Sequence, residues 1–217
     1  DSDAMLKLFG DTARRSPIIR EGMPGYNPDN VINQDLTKAK QLLAEAGYPG
    51  GGFSVELAVS SGAYYGGVAE KEWAQIIQAN VKEIGIDLTV VTLDPAAFTT
   101  LYRSGKAEMF VTHMLSWTFD PHDYFARFTT GGPYWIRIGA SYDNPEYHEL
   151  VTLGAHEADP TKRDEIYQAL GKIFRQDGPV LPIYQPYETY VYNAKVHPTE
   201  ALFIQTMWNT GDYSRIW

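Results

Sequence analysis

The run Leu115-Ser116-Trp117-Thr118-Phe119-Asp120-Pro121-His122-Asp123-Tyr124-Phe125 gathers aromatics, acids and a histidine in one short stretch. It follows Met109-Phe110-Val111-Thr112-His113-Met114, which reads as a buried strand. An acid, an imidazole and two large rings therefore fall where a strand gives way to a loop. In open α/β sheets, ligands bind in the crevice beyond the carboxyl ends of the strands. Trp117, Phe119, Asp120 and His122 are candidate ligand contacts on that ground. Each has a plainer alternative. The two rings could be core, and an Asp before a Pro is a common helix cap.

A second candidate lies at another strand end. Ser60-Ser61-Gly62-Ala63-Tyr64-Tyr65-Gly66-Gly67 reads as a glycine-flanked loop just before a helix. Ser61, Tyr64 and Tyr65 could meet a polar or anionic group there, because free amides gather at helix N-termini. An ordinary connecting loop is the alternative.

Other chemistries find no residues. With no cysteine in the chain, thiolate metal sites, cysteine nucleophiles and disulfides are excluded. His113 and His122 come with no tight group of imidazole and carboxylate ligands, and His148 and His156 lie eight apart on one helix, so no metal is expected. No nucleophile elbow, phosphate-binding loop, metalloprotease helix or dinucleotide fingerprint occurs. Asp120 and Asp123 are too close in sequence to serve convincingly as a glycosidase pair. No enzyme is expected on these grounds, and no cofactor. Its net charge of −9 argues against nucleic acid. No apolar run is long enough to span a bilayer.

The elements that must position these residues are legible from period and caps. A helix runs from about Asp35 to Ala46, with Ala39, Leu42, Leu43 and Ala46 on one face and Gly47 as its stop. Phe53–Val59 alternates as a strand. A long helix follows from about Val68 to Ile84, with Trp73, Ile76, Ile77 and Val81 as its stripe, and then a β-branched strand from Ile86 to Leu93. Asp94-Pro95 starts a short helix that ends at Gly105, and Met109–Ser116 is the next strand. Strand, helix, strand, helix, strand with right-handed crossovers gives a mostly parallel sheet flanked by helices, the α/β class. Asn144-Pro145 and Asp159-Pro160 start two further helices, and Gly178-Pro179 closes the second. Val180–Tyr184 and Tyr190–Tyr192 read as short strands, and residues 1–34 and 196–217 show no clear period.

Several blocks together resemble the family 5 extracellular solute-binding proteins, the dipeptide, oligopeptide and nickel receptors of ABC transporters. Asp35-Leu36-Thr37-Lys38-Ala39-Lys40-Gln41-Leu42-Leu43-Ala44-Glu45-Ala46-Gly47-Tyr48 resembles that family's first-helix block. Pro24-Gly25-Tyr26 upstream, Ile84-Gly85-Ile86 with Val90-Val91, and Trp117 with Asp120-Pro121 resemble further blocks. So do Ser141–Tyr147, Asp159–Arg163 and Val180–Tyr184, all in family order.

The resemblance implies a type II periplasmic-binding-protein lobe at residues 35–195. Residues 1–34 would be an irregular arm from an N-terminal lobe that precedes Asp1, and residues 196–217 a tail crossing back toward it. The chain, which begins without Met, would then be a piece of a longer receptor. The implied function is to bind a peptide-like solute between two lobes and deliver it to permease subunits, in the periplasm or outside the cell. Contact with a membrane would come only through the permease or a lipid anchor. In peptide-binding members an acid three residues after the strand-end Trp grips the ligand's ammonium, and Trp117-Thr118-Phe119-Asp120 keeps that spacing. Asp120 is also followed at once by Pro121, so it could instead match the family's later, structural Asp-Pro. Tyr134 and Trp135 could extend an aromatic wall. Sugars, opines or a nickel chelate are alternative solutes, and the sensing domain of a transcriptional regulator is an alternative role.

Overall fold

The computed structural model describes residues 1–62, 64–65, 67–113, 118–129, 142–187 and 193–195. In chain order the helices are α1 (Ser2–Phe9), α2 (Leu36–Glu45), α3 (Glu70–Lys82), α4 (Pro95–Arg103), α5 (His122–Phe125), α6 (Pro145–His156) and α7 (Pro160–Asp177). The strands are β1 (Ala13–Arg14), β2 (Phe53–Ser60), β3 (Tyr64–Tyr65), β4 (Val68–Ala69), β5 (Ile86–Leu93), β6 (Met109–Phe110) and β7 (Gln185–Pro186).

The expected crossover unit is present. β2, α3, β5, α4 and β6 follow in sequence, and the sheet order is β5-β2-β6 with both pairings parallel. Phe53 to Ser60 stand opposite Ile86 to Leu93 in unbroken register. Leu57, Val59 and Leu88 from the strands meet Trp73 and Ala74 of α3 in one buried cluster. A second cluster joins α5, α6 and α7 through Phe125, Phe128, Tyr147, Tyr167, Leu170 and Phe174. Carboxylate and amide caps set the helix starts. Asp35, Asp94, Asn144 and Asp159 each accept from backbone N–H groups of the first turn, and Pro occupies the start of α4, α6 and α7.

Four expectations need correction. Residues 1–34 are not wholly irregular. Asp1 caps α1, which buries Met5 and Phe9, and β1 follows. Two turns of helix carry too few periods for the pattern to register in sequence. The stretch Ser60–Gly67 is not a plain loop, since β3 pairs antiparallel with β4, and α3 begins at Glu70 rather than Val68. β6 covers Met109–Phe110, after which the Val111 N–H still donates to the Ala58 carbonyl. Val180–Tyr184 forms no strand. The pairing lies one step later, where β7 runs antiparallel to the two residues of β1, a ladder too short to leave a strand pattern in sequence. No residue of α2 is fully buried, and Leu42 is half exposed. Tyr190–Tyr192 and residues 196–217 lie outside the described residues.

Gly85 sets the start of β5. Its φ is +82°, and an added Cβ would overlap the carbonyl of Gly50. Gly85→Ala should therefore cost at least about 2 kcal/mol in urea unfolding, combining left-handed strain with the clash. Gly47→Ala, also at positive φ (+90°) but facing open space, should cost about 1 kcal/mol. Equal costs would show that the close approach at Gly85 does not constrain the fold.

Candidate ligand-binding site

The parallel strands all deliver their chain ends to one edge of the sheet. From β2 the chain enters Ser61, from β5 it enters Asp94, and from β6 it continues to His113. The Ser61 N–H donates to the Leu93 carbonyl (2.8 Å), tying the first two exits together.

Thr118 to Asp123 form a tightly held turn. Phe119 has φ +56°, in the left-handed region that a bulky residue avoids. Two carboxylates hold it there. Buried Asp123 accepts from both the Thr118 N–H and the Thr118 hydroxyl, each at 2.9 Å. Asp120 Oδ1 accepts from the His122 N–H (2.9 Å) and from Arg163 (3.0 Å), and the Asp120 carbonyl takes the Asp123 N–H. Arg163 also donates to the Gly154 carbonyl and to the Tyr167 hydroxyl, and its guanidinium lies over the Tyr167 ring. The bond to Asp120 raises the Arg163 pKa above its ordinary value. One strand-end turn is thereby fastened to both α6 and α7. Backbone strain held by surrounding structure is commonest where a fold presents groups to a ligand.

The sequence-derived residues fare differently. Phe119, Asp120 and His122 share this turn. Asp120 is in capping geometry and ion-paired, and its side chain is one-third exposed. His122 is half-buried, with Nδ1 enclosed and without a hydrogen-bond partner among the described residues. Burial lowers its pKa, while the Asp120 and Asp123 carboxylates pull the other way. Ser61 is exposed at the end of β2, and the backbone of Tyr64 and Tyr65 forms β3 just beyond it. Trp117, Tyr134 and Trp135 lie outside the described residues. Among the described residues, no group of three or more His, Cys, Asp or Glu side chains could hold a metal ion. His148 has its Nε2 buried without a partner among the described residues.

Sequence reasoning missed a buried polar cluster behind the same edge. Glu70, 2% exposed, accepts from the Ser60 N–H (2.8 Å). Its other oxygen lies 3.6 Å from Nδ1 of His113, whose Nε2 is 3.3 Å from the Tyr184 hydroxyl. The edge of Trp73 meets both of these rings. Nothing in the sequence joins positions 70, 113 and 184, which come from different layers. Arg163 was quoted only as part of a helix-start block.

These geometries sit on a chain whose first part is recognisable. The family described as "Bacterial extracellular solute-binding proteins, family 5 Middle" matches residues 1–135. The chain belongs to this family. It is a family of binding proteins rather than enzymes, extracellular by its own description. The heme-binding protein A of Haemophilus influenzae is 24% identical over 149 residues, which are 69% of this chain and 27% of that protein. The structure of HbpA2 from Haemophilus parasuis superposes with a TM-score of 0.77 at 26% identity, covering 86% of this chain and 37% of that one. The periplasmic binding protein DppA from Helicobacter pylori, solved with the peptide STSA, gives a TM-score of 0.72 at 24% identity, covering 86% and 36%. The family member described here thus has the type II periplasmic-binding-protein fold and spans about a third of the length of these relatives.

The polar cluster sets a pH dependence. Burial lowers the His113 pKa to about 4, from an ordinary value near 6.5. The folded state therefore favours the neutral ring, and this contribution is complete above about pH 6.5 and is lost as the pH falls toward 4. Burial raises the Glu70 pKa, which has the opposite sign. His113→Gln removes only the first. Its melting temperature should fall less than that of the unmodified protein between about pH 7 and pH 5, by scanning calorimetry. Identical slopes would mean that His113 titrates as freely in the fold as in the unfolded chain.

Proposed function

We propose that this chain forms one lobe of a two-lobed receptor that binds a peptide-like solute and hands it to an ABC permease, in the periplasm or tethered outside the cell. The observation that carries this reading is the turn Thr118–Asp123, which follows β6 in sequence, where Phe119 is held at φ +56° by Asp123 and by the Asp120–Arg163 pair. A receptor lobe needs rigid groups presented at its cleft before the ligand arrives, since ordering them on binding subtracts from affinity. Family membership supports it, as does the peptide in the DppA relative. Ser61, Tyr64, Tyr65, Trp117, Phe119 and His122 are this lobe's proposed contacts. Closure of the lobes would follow from tighter binding of the solute in the closed state.

Asp120 enters as a positioning residue. Its carboxylate already meets Arg163 and the His122 N–H, so a ligand ammonium would have to compete with a guanidinium in place. Asp120→Asn keeps an oxygen for His122 and removes the charge. In the intact receptor it should weaken a free tetrapeptide and its N-acetyl form by similar factors in titration calorimetry. A loss of about tenfold or more for the free amine alone would make Asp120 the ammonium grip instead.

The class of solute is tested by mass spectrometry of small molecules released on denaturing the natively purified receptor. A mixture of short peptides is expected. Release of heme, an opine or a sugar would keep the receptor and replace its ligand. A parent chain that carries a DNA-binding domain would make it a regulator.

A further inference from the structure

The Glu70–His113–Tyr184 cluster joins two parts of very different strength. On one side Glu70 opens α3 and takes the Ser60 N–H, at the end of an eight-residue strand paired with β5 along its whole length. On the other side Tyr184 stands one residue before β7, whose ladder with β1 has two residue pairs and is extended by the Tyr187 N–H to the Thr12 carbonyl (2.8 Å). The Tyr184 ring stacks on Phe9 of α1 at 4.1 Å. His113, with 18% of its side chain exposed, bridges the two sides.

The partners assign the ring proton. Nδ1 faces the Glu70 carboxylate and carries it, and Nε2 is left to accept from the Tyr184 hydroxyl (3.3 Å). Other charge is directed elsewhere among the described residues. Asp3 and Lys7 of α1 and Lys71 and Glu72 of α3 are exposed, and Arg14 of β1 is paired with Glu21. The rings of Phe9 and Trp73 complete the wall. A second proton on the imidazole turns Nε2 from an acceptor into a donor that faces a donor. The Tyr184 O–H must then turn away, or the ring must reach water.

Burial holds the His113 pKa at about 4, against an ordinary 6.5, so the closed site resists that proton and an opening that admits water accepts it. Burial raises the Glu70 pKa while the Ser60 N–H holds it down, and a proton on Glu70 favours the closed site, which opposes the effect of His113 in part. The weaker side is the one to open. Moving Glu70 would break the β2–α3 core, whereas freeing Tyr184 gives up a long hydrogen bond, ring contacts and a two-residue ladder.

We propose that Glu70, His113 and Tyr184 form an acid-operated latch: a proton taken up by His113 releases Tyr184 and opens the β7–β1 ladder while the β5-β2-β6 sheet stays folded. The latch does not depend on which solute is bound. The family is extracellular by its own description, and the latch reads the pH of those surroundings.

Hydrogen–deuterium exchange of the intact receptor at pH 7 and pH 5, corrected for the pH dependence of intrinsic exchange, tests the latch. Opening of residues 12–14 and 184–187 should rise about tenfold at pH 5, with residues 53–60 unchanged. His113→Gln keeps an amide between Glu70 and Tyr184 but takes no proton, and should flatten that rise. Tyr184→Phe should loosen the ladder already at pH 7 and keep a rise with acid. No rise, an equal rise in both segments, or a rise that His113→Gln leaves intact would each overturn the proposal. Should the variants fail to fold, the unmodified protein still decides. Its rise at the ladder should begin near pH 6.5, where an exposed imidazole takes its proton, and a rise that begins only below about pH 5 overturns the latch.

Discussion

The turn from Thr118 to Asp123 must keep a bulky residue, Phe119, in a left-handed conformation. Everything proposed for this lobe depends on how that turn is held. Asp123 takes the two donors of Thr118 from inside the turn, and Asp120 fastens it to Arg163 from outside. The two anchors differ in kind. Asp123 is buried and satisfies backbone and hydroxyl donors, so removing it leaves those donors poorly solvated. The Asp120–Arg163 pair is partly exposed and worth less as a pair, but Arg163 also carries the Gly154 carbonyl and the Tyr167 ring. The strand-end turn is thus a joint between the sheet and the helical half.

That joint gives the two buried clusters a common purpose. The β2–α3–β5 cluster fixes the strand ends, and the aromatic cluster of α5, α6 and α7 supplies the platform on which Arg163 is mounted. The Tyr147 hydroxyl donates to the Phe125 carbonyl from within that platform, so α5 is held from both sides. Glu70, His113 and Tyr184 link the end of β2 to the segment entering β7, which pairs with β1. A turn with supports in several elements can move as one piece, which is the behaviour the proposed two-lobed receptor needs.

Much of this was legible in the sequence because the information was local. Asp35, Asp94, Asn144 and Asp159 announce helix starts through side chains that bond within three residues of themselves. The alternation in Phe53–Val59 and the β-branched run from Ile86 give the parallel sheet. What escaped was non-local or short. The Asp120–Arg163 pair spans 43 positions, and the Glu70–His113–Tyr184 cluster joins three layers. Helix α1 has only two turns, and β7 makes sense only once β1 is beside it. For the candidate site, the sequence located the turn through Asp120-Pro121 and its aromatics. It left open whether Asp120 caps or binds, since both jobs use the same carboxylate.

Hydrogen–deuterium exchange on the intact receptor, with and without the solute that co-purifies with it, tests the central claim most directly. The account predicts added protection at the strand ends, in residues 60–65 and 118–125, with α6 and α7 little changed on their outer faces. Protection confined to α6, α7 or the exposed face of α2, with the strand ends unaltered while solute is bound, would contradict it.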